Sequence, residues 1–441
     1  MRVVGEASLE STNEHGALLR IQGGHALQIT ALEEDMIRVR IDRDGQRSVA
    51  RSWMVSPATG DASCCMSSHS APYEGRDKDA LGGFSLPRVE IETMDAELRI
   101  STPRLRVIVP LGVSPLALRW EWRDVAAACW KPLLADRRSG AYYFGRHQNP
   151  RLSHHIKRRR GDRFYGLGEK SGALDKAGRR YRMDCVDAMG YDAECSDPLY
   201  KFWPFYIAKP APTNAPSPPN VTAGSNGAAG SAELPASAAY GLFYDNPANC
   251  SFDLGCTFDN YHGLFSSYEA ACGDLDYTVL LGPTVGAVTR RFAWLVGGHC
   301  LPPQWSLGYS GSTMSYTDAP DAQARMKTFL ELLRAHEVPC SSFQMSSGYT
   351  SIGSKRYVFH WNHDKFPSPE DLVAHYAAAG LHLAANIKPC LLTDHPLYDE
   401  CRAAGLFLSD SEAAAKREEG GGAGGAGGAG GAGGAGGGVH T

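Results

Sequence analysis

One glycine-rich run in the chain has residue types that could bind a phosphate. The run Phe164 to Gly172, FYGLGEKSG, contains glycines, a lysine and a serine. A Walker loop needs a glycine, four residues and then Gly-Lys-Ser/Thr, whereas Glu169 separates Gly168 from Lys170 here. A dinucleotide fingerprint also fails, because no third glycine falls in place. We therefore predict a tight turn between strands at this run, and not a nucleotide site.

Other reactive side chains are scattered through the sequence. The histidine pairs lack carboxylates or thiolates at ligand spacing, so we predict no metal site and no cofactor, and we expect surface or loop positions for His154, His155, His360 and His363. The twelve cysteines include no Cys-x-x-Cys, and we expect reduced thiols. The basic run 157–160 is predicted to be a solvated strand edge without a function.

Composition narrows the class of protein. In 441 residues, 43% are hydrophobic and 10% aromatic, which is ordinary for a chain with real cores. With 44 Lys+Arg against 48 Asp+Glu, the formal net charge is -4, which argues against nucleic acid or an anionic membrane as the main partner. No secretory signal and no apolar run of ~20 residues is found. We expect a cytoplasmic protein whose oligomeric state the sequence leaves open.

The first part of the chain has the pattern of antiparallel strands. Apolar residues alternate from Ala26 to about Asp124, a period of two that predicts half-buried strands and a β-sandwich. Two segments rich in Ser, Gly, Ala and Pro interrupt it, near 51–83 and 210–239, and we expect them to be surface insertions. The predicted sandwich domain covers 1–300.

After residue 301 the pattern changes to parallel βα units. The segment Asp321 to His336 predicts a helix with Met326, Phe329, Leu330 and Leu333 on one face. A short strand-like run, CSSFQMSS, and a second helix, Pro369 to Ala379 with Gly380 as its C-cap, follow it. The third strand, LHLAANIKP, is apolar enough to be buried on both faces. About three βα units of a barrel are thus predicted over 301–417.

The last residues, 418–441, form a Gly/Ala repeat that cannot bury a core. A complete eight-stranded barrel needs about 250 residues, far more than 301–417 supplies. We therefore expect the chain as given to be truncated and inactive.

Three longer blocks carry a family resemblance. They are FYGLGEKSG with the following Ser-Asp-Pro-Leu-Tyr-Lys, then LPPQWSLGYSGSTMSY, then FQMSSGYTSIGSKRYVFHWNHDKFP. In this order they resemble the N-terminal half of glycoside hydrolase family 31, the family of α-glucosidases and α-xylosidases. The resemblance runs from roughly Ala26 to Asp410 outside the insertions. It implies a multidomain α+β protein, with a galactose-mutarotase-like β-sandwich followed by the first part of a (β/α)8 barrel.

The resemblance also implies a reaction and its requirements. Retaining glycosidases use two carboxyl groups about 5 to 5.5 Å apart, and the family's nucleophile is an aspartate on the fourth barrel strand, in a motif of Asp-x-Asn-Glu type. No such motif occurs in this sequence, so we assign no catalytic residue. The expected function is that of a retaining exo-α-glycosidase acting on small oligosaccharides or α-glycosides.

The resemblance also implies residues at the rim of the sugar pocket. It places Tyr316 where an aromatic residue lines the sugar subsite, although packing inside the barrel mouth is an equally good explanation of this tyrosine. It also implies a loop, YDAECSDPLY, in which Asp192 or Asp197 binds sugar hydroxyls. The choice between the two aspartates stays open.

At the end of the second strand, many family members have Asp-x-Asp-Tyr, whose aspartate binds the terminal sugar. This chain has Met345-Ser346-Ser347-Gly348-Tyr349 instead, so Ser346, Ser347 and Tyr349 are the expected substrate contacts and the sugar stays open. An alternative is a non-catalytic carbohydrate-binding or regulatory protein on the same fold. A mutarotase activity of the sandwich ranks last, because a fold carries no activity by itself.

Overall fold

The computed structural model describes residues 1–56, 75–124, 128–145, 149–211, 238–298 and 301–408, and the backbone of 439–440. The chain divides into two compact units, Met1–Cys300 and Leu301–Thr441. The centre of the segment near 51–83, most of the segment near 210–239 and nearly all of the Gly/Ala repeat lie outside the described residues.

The first unit is built almost wholly from β-strands. Its strands are β1 (Arg2–Val3), β2 (Ala7–Asn13), β3 (Gly16–Ile21), β4 (His25–Glu33), β5 (Met36–Asp42), β6 (Arg51–Ser52), β7 (Arg76–Asp77), β8 (Glu90–Met94), β9 (Glu97–Ser101), β10 (Leu105–Pro110), β11 (Arg119–Asp124), β12 (Cys129–Ala135), β13 (Tyr142–Phe144), β14 (Leu152–Lys157), β15 (Arg163–Gly168), β16 (Arg180–Met183), β17 (Phe202–Lys209), β18 (Ala239–Tyr244), β19 (Cys250–Asp253), β20 (Phe265–Ala270) and β21 (Leu275–Gly282). One helix, α1 (Val285–Leu295), follows in the described residues.

These strands form antiparallel sheets around a main apolar core, and α1 packs on a second apolar cluster of the largest sheet. The largest sheet has the order β15-β17-β18-β21-β5-β4-β3-β2, and the next has the order β1-β13-β14-β20-β19-β16. A third sheet has the order β12-β11-β10-β9-β8. Leu27, Ile29 and Ala31 are buried while Gln28 and Thr30 between them are half-exposed, as the alternating pattern requires. The predicted β-sandwich is confirmed.

A buried aromatic cluster lies at the centre of this core. His154 is fully buried, with its ring 4.7 Å from the ring of Tyr142 and 4.7 Å from that of Tyr277. Its Nε2 lies 3.0 Å from Asp136 Oδ1 and its Nδ1 lies 2.9 Å from the Tyr244 hydroxyl. The expected surface position of His154 is therefore wrong, since both of its ring nitrogens have buried partners.

A second buried feature is an ion cluster that joins the segment near 51–83 to the largest sheet. Arg38 donates to both carboxylate oxygens of Asp276, over 2.7 and 2.6 Å. Lys78 Nζ donates to Asp276 Oδ2 over 3.0 Å and to the backbone oxygen of Asp245 over 2.7 Å. Ser52 donates to Asp245 Oδ1 over 2.8 Å. Two residues in the described ends of the expected surface insertion, Ser52 and Lys78, therefore lie in the protein interior.

The two cations of this cluster balance its two carboxylates in the protein interior. Burial raises the pKa of Asp245, whereas for Asp276 the attraction of Arg38 and Lys78 outweighs burial and holds its pKa well below the ordinary value. The side chains of Lys78 and Asp276 are 1% and 0% exposed. Because each buried carboxylate has a cation beside it, removal of one cation leaves an uncompensated charge.

The second unit has short strands that alternate with helices. In its described part these elements are β22 (Ser310–Ser312), α2 (Met314–Thr317), α3 (Ala322–Ala335), β23 (Ser342–Gln344), β24 (Ser351–Ile352), β25 (Lys355–Arg356), α4 (Pro369–Ala378), β26 (His382–Ala384), β27 (Leu391–Leu392), α5 (Tyr398–Ala403) and β28 (Val439–His440). Strands β22, β23 and β26 pair in parallel, in that order. Parallel strands joined by helices are the pattern of a partial barrel, which confirms that prediction.

Helices α3 and α4 begin and pack as their sequences predict. Met326 and Leu330 of α3 are buried, and Phe329 and Leu333 pack against the same cluster. Ser368 caps α4 through a hydrogen bond from Asp371 N, Pro369 takes the first helical position and Gly380 follows the helix at φ +76°.

The third parallel strand differs from its prediction. Only His382–Ala384 pairs, His382 is exposed, and Ile387 beyond it is 54% exposed. The expectation of burial on both faces is wrong, because among the described residues this strand has a neighbour on one side only, β23.

We predict that Lys78→Met destabilises the protein by about 3–5 kcal/mol, because it leaves the two buried carboxylates with one cation. Urea unfolding followed by tryptophan fluorescence measures the change. Lys201→Met is the matched control, since Lys201 is 71% exposed and lies 3.8 Å from Glu169, and it should change stability by less than about 1 kcal/mol. An equal effect of the two variants would contradict the role of the cluster.

Candidate functional site

The carboxyl ends of the three parallel strands meet at one edge of the second unit. The residues after β22 lead into α2, those after β23 form the turn Met345–Tyr349, and those after β26 include Asn386. In barrels of this kind, the residues that follow the strands line the active site. Polar side chains at this edge are therefore the candidate site of the second unit.

Tyr316 lies in α2, directly after the first of these strands. Its ring packs edge-on against Phe329 at 5.8 Å and against Phe343 at 6.5 Å, and the residue is half-buried. Part of the ring therefore belongs to the apolar core of the unit. The part that is exposed is all that could contact a sugar.

The turn after β23 holds the next three candidates. Ser346 has a φ of +52°, a conformation that non-glycine residues rarely adopt, and it is half-exposed. Ser347 is 9% exposed, and Tyr349 is 4% exposed with its hydroxyl donating to the Asn386 backbone oxygen over 3.1 Å. Tyr349 thus joins the ends of the second and third strands.

The close approach of this turn to α2 depends on Gly348. A Cβ at Gly348 would lie 2.2 Å from Thr317 Oγ1 and 2.7 Å from the Thr317 backbone. No side chain fits there, so this glycine lets the ends of the first and second strands touch.

An ion pair that the sequence interpretation missed anchors the same edge. Arg356 donates to both oxygens of Asp318, over 3.0 and 3.1 Å, and to the backbone oxygen of Ser347 over 3.3 Å. Ser351 donates to Asp318 Oδ1 over 2.8 Å, and Lys365 donates to Ser351 Oγ over 2.6 Å. One feature of the sequence could have pointed to Asp318: it follows shortly after a parallel strand, where the polar residues of a barrel active site lie.

The motif Phe359-x-Trp361-Asn362 contacts the residues that form this edge. Asn362 Nδ2 donates to the backbone oxygen of Ser351 over 2.7 Å, and its backbone N–H donates to the backbone oxygen of Tyr349 over 3.0 Å. The Trp361 ring lies 4.8 Å from the Tyr349 ring. These residues therefore position the turn and hold its backbone groups.

The carboxylates around this edge are held in their charged forms. The hydrogen bonds from Arg356 lower the pKa of Asp318, and the hydrogen bond from Lys355 lowers the pKa of Asp394. A general acid needs a raised pKa to carry a proton at neutral pH. Neither aspartate is therefore suited to act as a general acid. The polar groups at this edge can still bind hydroxyl groups.

The two aspartates of the loop YDAECSDPLY, in the first unit, have different surroundings. Asp197 accepts from Lys170 Nζ over 2.8 Å and from Arg182 N over 2.5 Å, and its side chain is 11% exposed. Asp192 is exposed, and its Oδ1 accepts from Glu194 N over 2.7 Å. The hydrogen bond from Glu194 N lowers the pKa of Asp192. Asp197 is thus fixed within the protein, whereas Asp192 keeps oxygen lone pairs for a ligand.

The run 164–172 precedes this loop and is not a simple turn. Its first part is strand β15, which pairs with β17 through a register shift between Gly166 and Gly168. The Trp203 ring covers Gly168, where a Cβ would lie 2.1 Å from Cε3. Lys170 then reaches Asp197, so the lysine that suggested a phosphate loop serves an internal ion pair.

The part of the chain that the structure describes contains no group of three His, Cys, Asp or Glu side chains that could hold a metal ion. None of its helices is long and apolar enough to span a membrane.

Comparison with protein families gives two matches. Residues 26–211 match the model of the glycosyl hydrolase 31 N-terminal galactose mutarotase-like domain. Residues 299–426 match the model of the glycosyl hydrolases family 31 TIM-barrel domain. The two matches occur in the order that the three sequence blocks predicted.

Curated relatives and solved structures agree with these matches. Alpha-glucosidase 2 of Bacillus thermoamyloliquefaciens is 29% identical over 241 residues, 54% of this chain and 26% of the relative. Alpha-xylosidase XylQ of Lactiplantibacillus pentosus is 27% identical over 249 residues, 56% of this chain and 27% of the relative. A Flavobacterium johnsoniae GH31 dextranase complexed with isomaltotriose superposes with a TM-score of 0.68 at 18% identity, over 93% of this chain and 42% of that one. The chain thus spans about a quarter of the length of these curated relatives.

We predict that Asp318→Asn lowers the stability of the protein at neutral pH by about 1 kcal/mol, since the side chains of Arg356 and Asp318 are 37% and 35% exposed and their ion pair is partly screened. A lowered native pKa contributes stability above the unfolded pKa, about 3.9, and that contribution is lost as pH falls through the native pKa. The difference between wild type and variant should therefore shrink below about pH 4. Urea midpoints between neutral and acid pH measure it.

Asp321→Asn is the matched control, because Asp321 is 59% exposed and pairs with Arg325 within one helix. Its effect at neutral pH should be the smaller of the two. A difference between wild type and Asp318→Asn that is constant across pH would contradict the ion-pair account.

Proposed function

The chain belongs to glycoside hydrolase family 31, and from this premise we propose that it forms the sugar-binding part of a retaining exo-α-glycosidase. The proposed ligand is the terminal sugar of a small oligosaccharide or α-glycoside. The observation that carries the proposal is the turn Met345–Tyr349, which lies at the carboxyl end of the second parallel strand and is tied to the strands on both sides. Relatives named for action on α-linked sugars support the same class of substrate.

Within this proposal, the serines of the turn bind sugar hydroxyls. Ser346 is half-exposed and Ser347 is 9% exposed, so Ser346 offers the more accessible hydroxyl. A serine hydroxyl both donates and accepts a hydrogen bond, but it lacks the charge of the aspartate that many family members carry here. We therefore infer that this turn binds the terminal sugar more weakly than an aspartate at the same place would. We also infer that it selects less between glucose and xylose.

We propose Asp192, and not Asp197, as the carboxylate that binds sugar hydroxyls. Lys170 and Arg182 N already occupy both oxygens of Asp197. Asp192 is exposed, and its carboxylate accepts hydrogen bonds only from Glu194 N and Cys195 of its own loop among the described residues. A charged acceptor with free lone pairs is the stronger partner for a hydroxyl donor.

A second candidate function is sugar binding without hydrolysis. It is favoured by the state of Asp318 and Asp394, which have basic partners and lowered pKa values. Retention of configuration needs a carboxylate nucleophile and a carboxylic acid about 5 to 5.5 Å apart. Because neither aspartate is free for either role, these two residues support binding better than bond cleavage.

One experiment tests both sugar binding and hydrolysis by the chain. The polypeptide of 441 residues is titrated calorimetrically with isomaltotriose and assayed with nitrophenyl α-glucoside and α-xyloside. We predict saturable binding and no turnover above the buffer rate. Turnover would establish the hydrolase within this polypeptide and contradict the binding-only alternative, whereas an absence of both binding and turnover would contradict the proposed sugar site.

The same titration tests the choice of aspartate. Asp192→Asn should weaken binding about tenfold, the usual cost of losing a hydrogen bond to a charged group, and should leave stability unchanged. Asp197→Asn should lower stability, because it removes the partner of Lys170, whose side chain is 1% exposed. Asp95→Asn, in an exposed turn of the same unit, is the control and should change neither quantity.

A further inference from the structure

A cleft in the first unit, apart from the residues discussed above, concentrates arginine side chains. Its volume is about 390 Å³, within the range of small-ligand pockets. Its lining combines charged and apolar residues: Asp35, Arg104, Leu281, Pro283, Ala287, Arg290, Arg291 and Trp294. We call it the arginine cleft.

Two strand turns hold one wall of the arginine cleft in place. Asp35 lies in the turn between β4 and β5, and Arg104 lies in the turn between β9 and β10. Thr102 Oγ1 donates to the backbone oxygen of Glu34 over 2.5 Å and accepts from Arg104 N over 3.2 Å. The two turns are therefore joined, which fixes the position of Arg104 beside Asp35.

Helix α1 supplies the opposite wall. Thr284 caps the helix by accepting from Ala287 N over 3.1 Å. Arg290 and Arg291 are three and four residues beyond Ala287, a spacing that places all three on one side of a helix. Because Ala287 has no side chain beyond Cβ, it leaves open the space in front of the two arginines.

The charges in the cleft do not balance. Arg291 Nε donates to Asp35 Oδ2 over 2.9 Å, and its Nη2 lies 2.8 Å from Oδ1, within ion-pair distance but off the hydrogen-bond direction. Arg104 Nη1 donates to the same Oδ2 over 3.3 Å. The Arg290 side chain is exposed and forms no hydrogen bond or ion pair with any residue that the structure describes. Three guanidinium groups thus face one carboxylate, in a protein whose net charge is -4.

Several guanidinium N–H groups remain available in the cleft. Arg290 keeps all of its donors, Arg104 uses only Nη1, and Arg291 has no hydrogen bond from Nη1. Guanidinium forks match the oxygens of a phosphoryl group, which accepts bidentate hydrogen bonds from several arginines at once. The apolar side of the cleft, with Pro283, Ala287 and Trp294, offers a surface for the remainder of a ligand.

We propose that the arginine cleft is a binding site for a phosphoryl group, taken from a phosphorylated sugar or from inorganic phosphate. Arg104, Arg290 and the free edge of Arg291 bind the phosphoryl oxygens, and Asp35 orients Arg291 and Arg104. Trp294 and Pro283 contact the sugar when one is attached. The site lies in the sandwich unit and is independent of the proposed sugar-binding turn.

The test is calorimetric titration of the 441-residue chain with inorganic phosphate and with glucose 6-phosphate at neutral pH and low salt, where screening is weakest. We expect saturable binding of at least one of the two. Arg290→Ala and Arg104→Ala should each weaken it about tenfold, the usual loss for a charged hydrogen bond. Arg290→Lys should recover only part of the loss, because a lysine keeps the charge without the fork.

Arg88→Ala, which removes another exposed arginine of the same unit, is the matched control. Arg290→Ala is the principal variant because the side chain has no partner to lose, so its folding should be unchanged in urea unfolding. Glucose 6-phosphate binding tighter than phosphate identifies a phosphorylated sugar as the ligand, and equal affinities identify the phosphoryl group alone. No saturable binding of either compound, or an equal loss in Arg88→Ala and Arg290→Ala, would overturn the proposal.

Discussion

The ion pair between Asp318 and Arg356 is the contact on which the candidate sugar site depends. It joins the end of the first parallel strand to the β24–β25 hairpin, and Arg356 also holds the backbone oxygen of Ser347. Ser351 adds a hydrogen bond to Asp318, and Lys365 supports Ser351. A polar edge of this kind is rigid only while its buried groups are satisfied. The same ion pair keeps Asp318 charged. Asp318 is therefore suited to hold the site in place and not to transfer a proton.

The interior of the sandwich unit also depends on paired polar groups. Lys78 and Arg38 neutralise Asp276 where no solvent reaches, and His154 has hydrogen-bond partners for both ring nitrogens. Such groups add little net stability compared with apolar packing, but removing one partner is costly. At the arginine cleft the balance is different, because cations outnumber the carboxylate and one of them, Arg290, is exposed. Paired charge in the interior supports structure, whereas excess charge at a surface cleft supports binding.

Much of the fold could be predicted from sequence, because its signals are local and periodic. The alternation in β4 and the helical face of Met326 and Leu330 each follow from the geometry of one element. The burial of His154 and Lys78 could not be predicted, since it depends on partners brought together by distant strands. The same holds for Asp318, whose importance comes from an arginine on a later hairpin. The family resemblance did predict the place of the serine turn at the end of the second strand, but the sequence could not separate Asp192 from Asp197.

We propose that the serine turn of the second unit binds the terminal sugar of an α-glycoside, and that Asp192 of the first unit binds sugar hydroxyls. Hydrogen–deuterium exchange with and without isomaltotriose tests it most directly, because it reports on each segment in the intact chain. The account predicts slower exchange of backbone amides in 345–351 and 191–197 when the sugar is present. It also predicts unchanged exchange in α1, which lies at the arginine cleft. Unchanged exchange in both of the first two segments at saturating sugar would contradict the account.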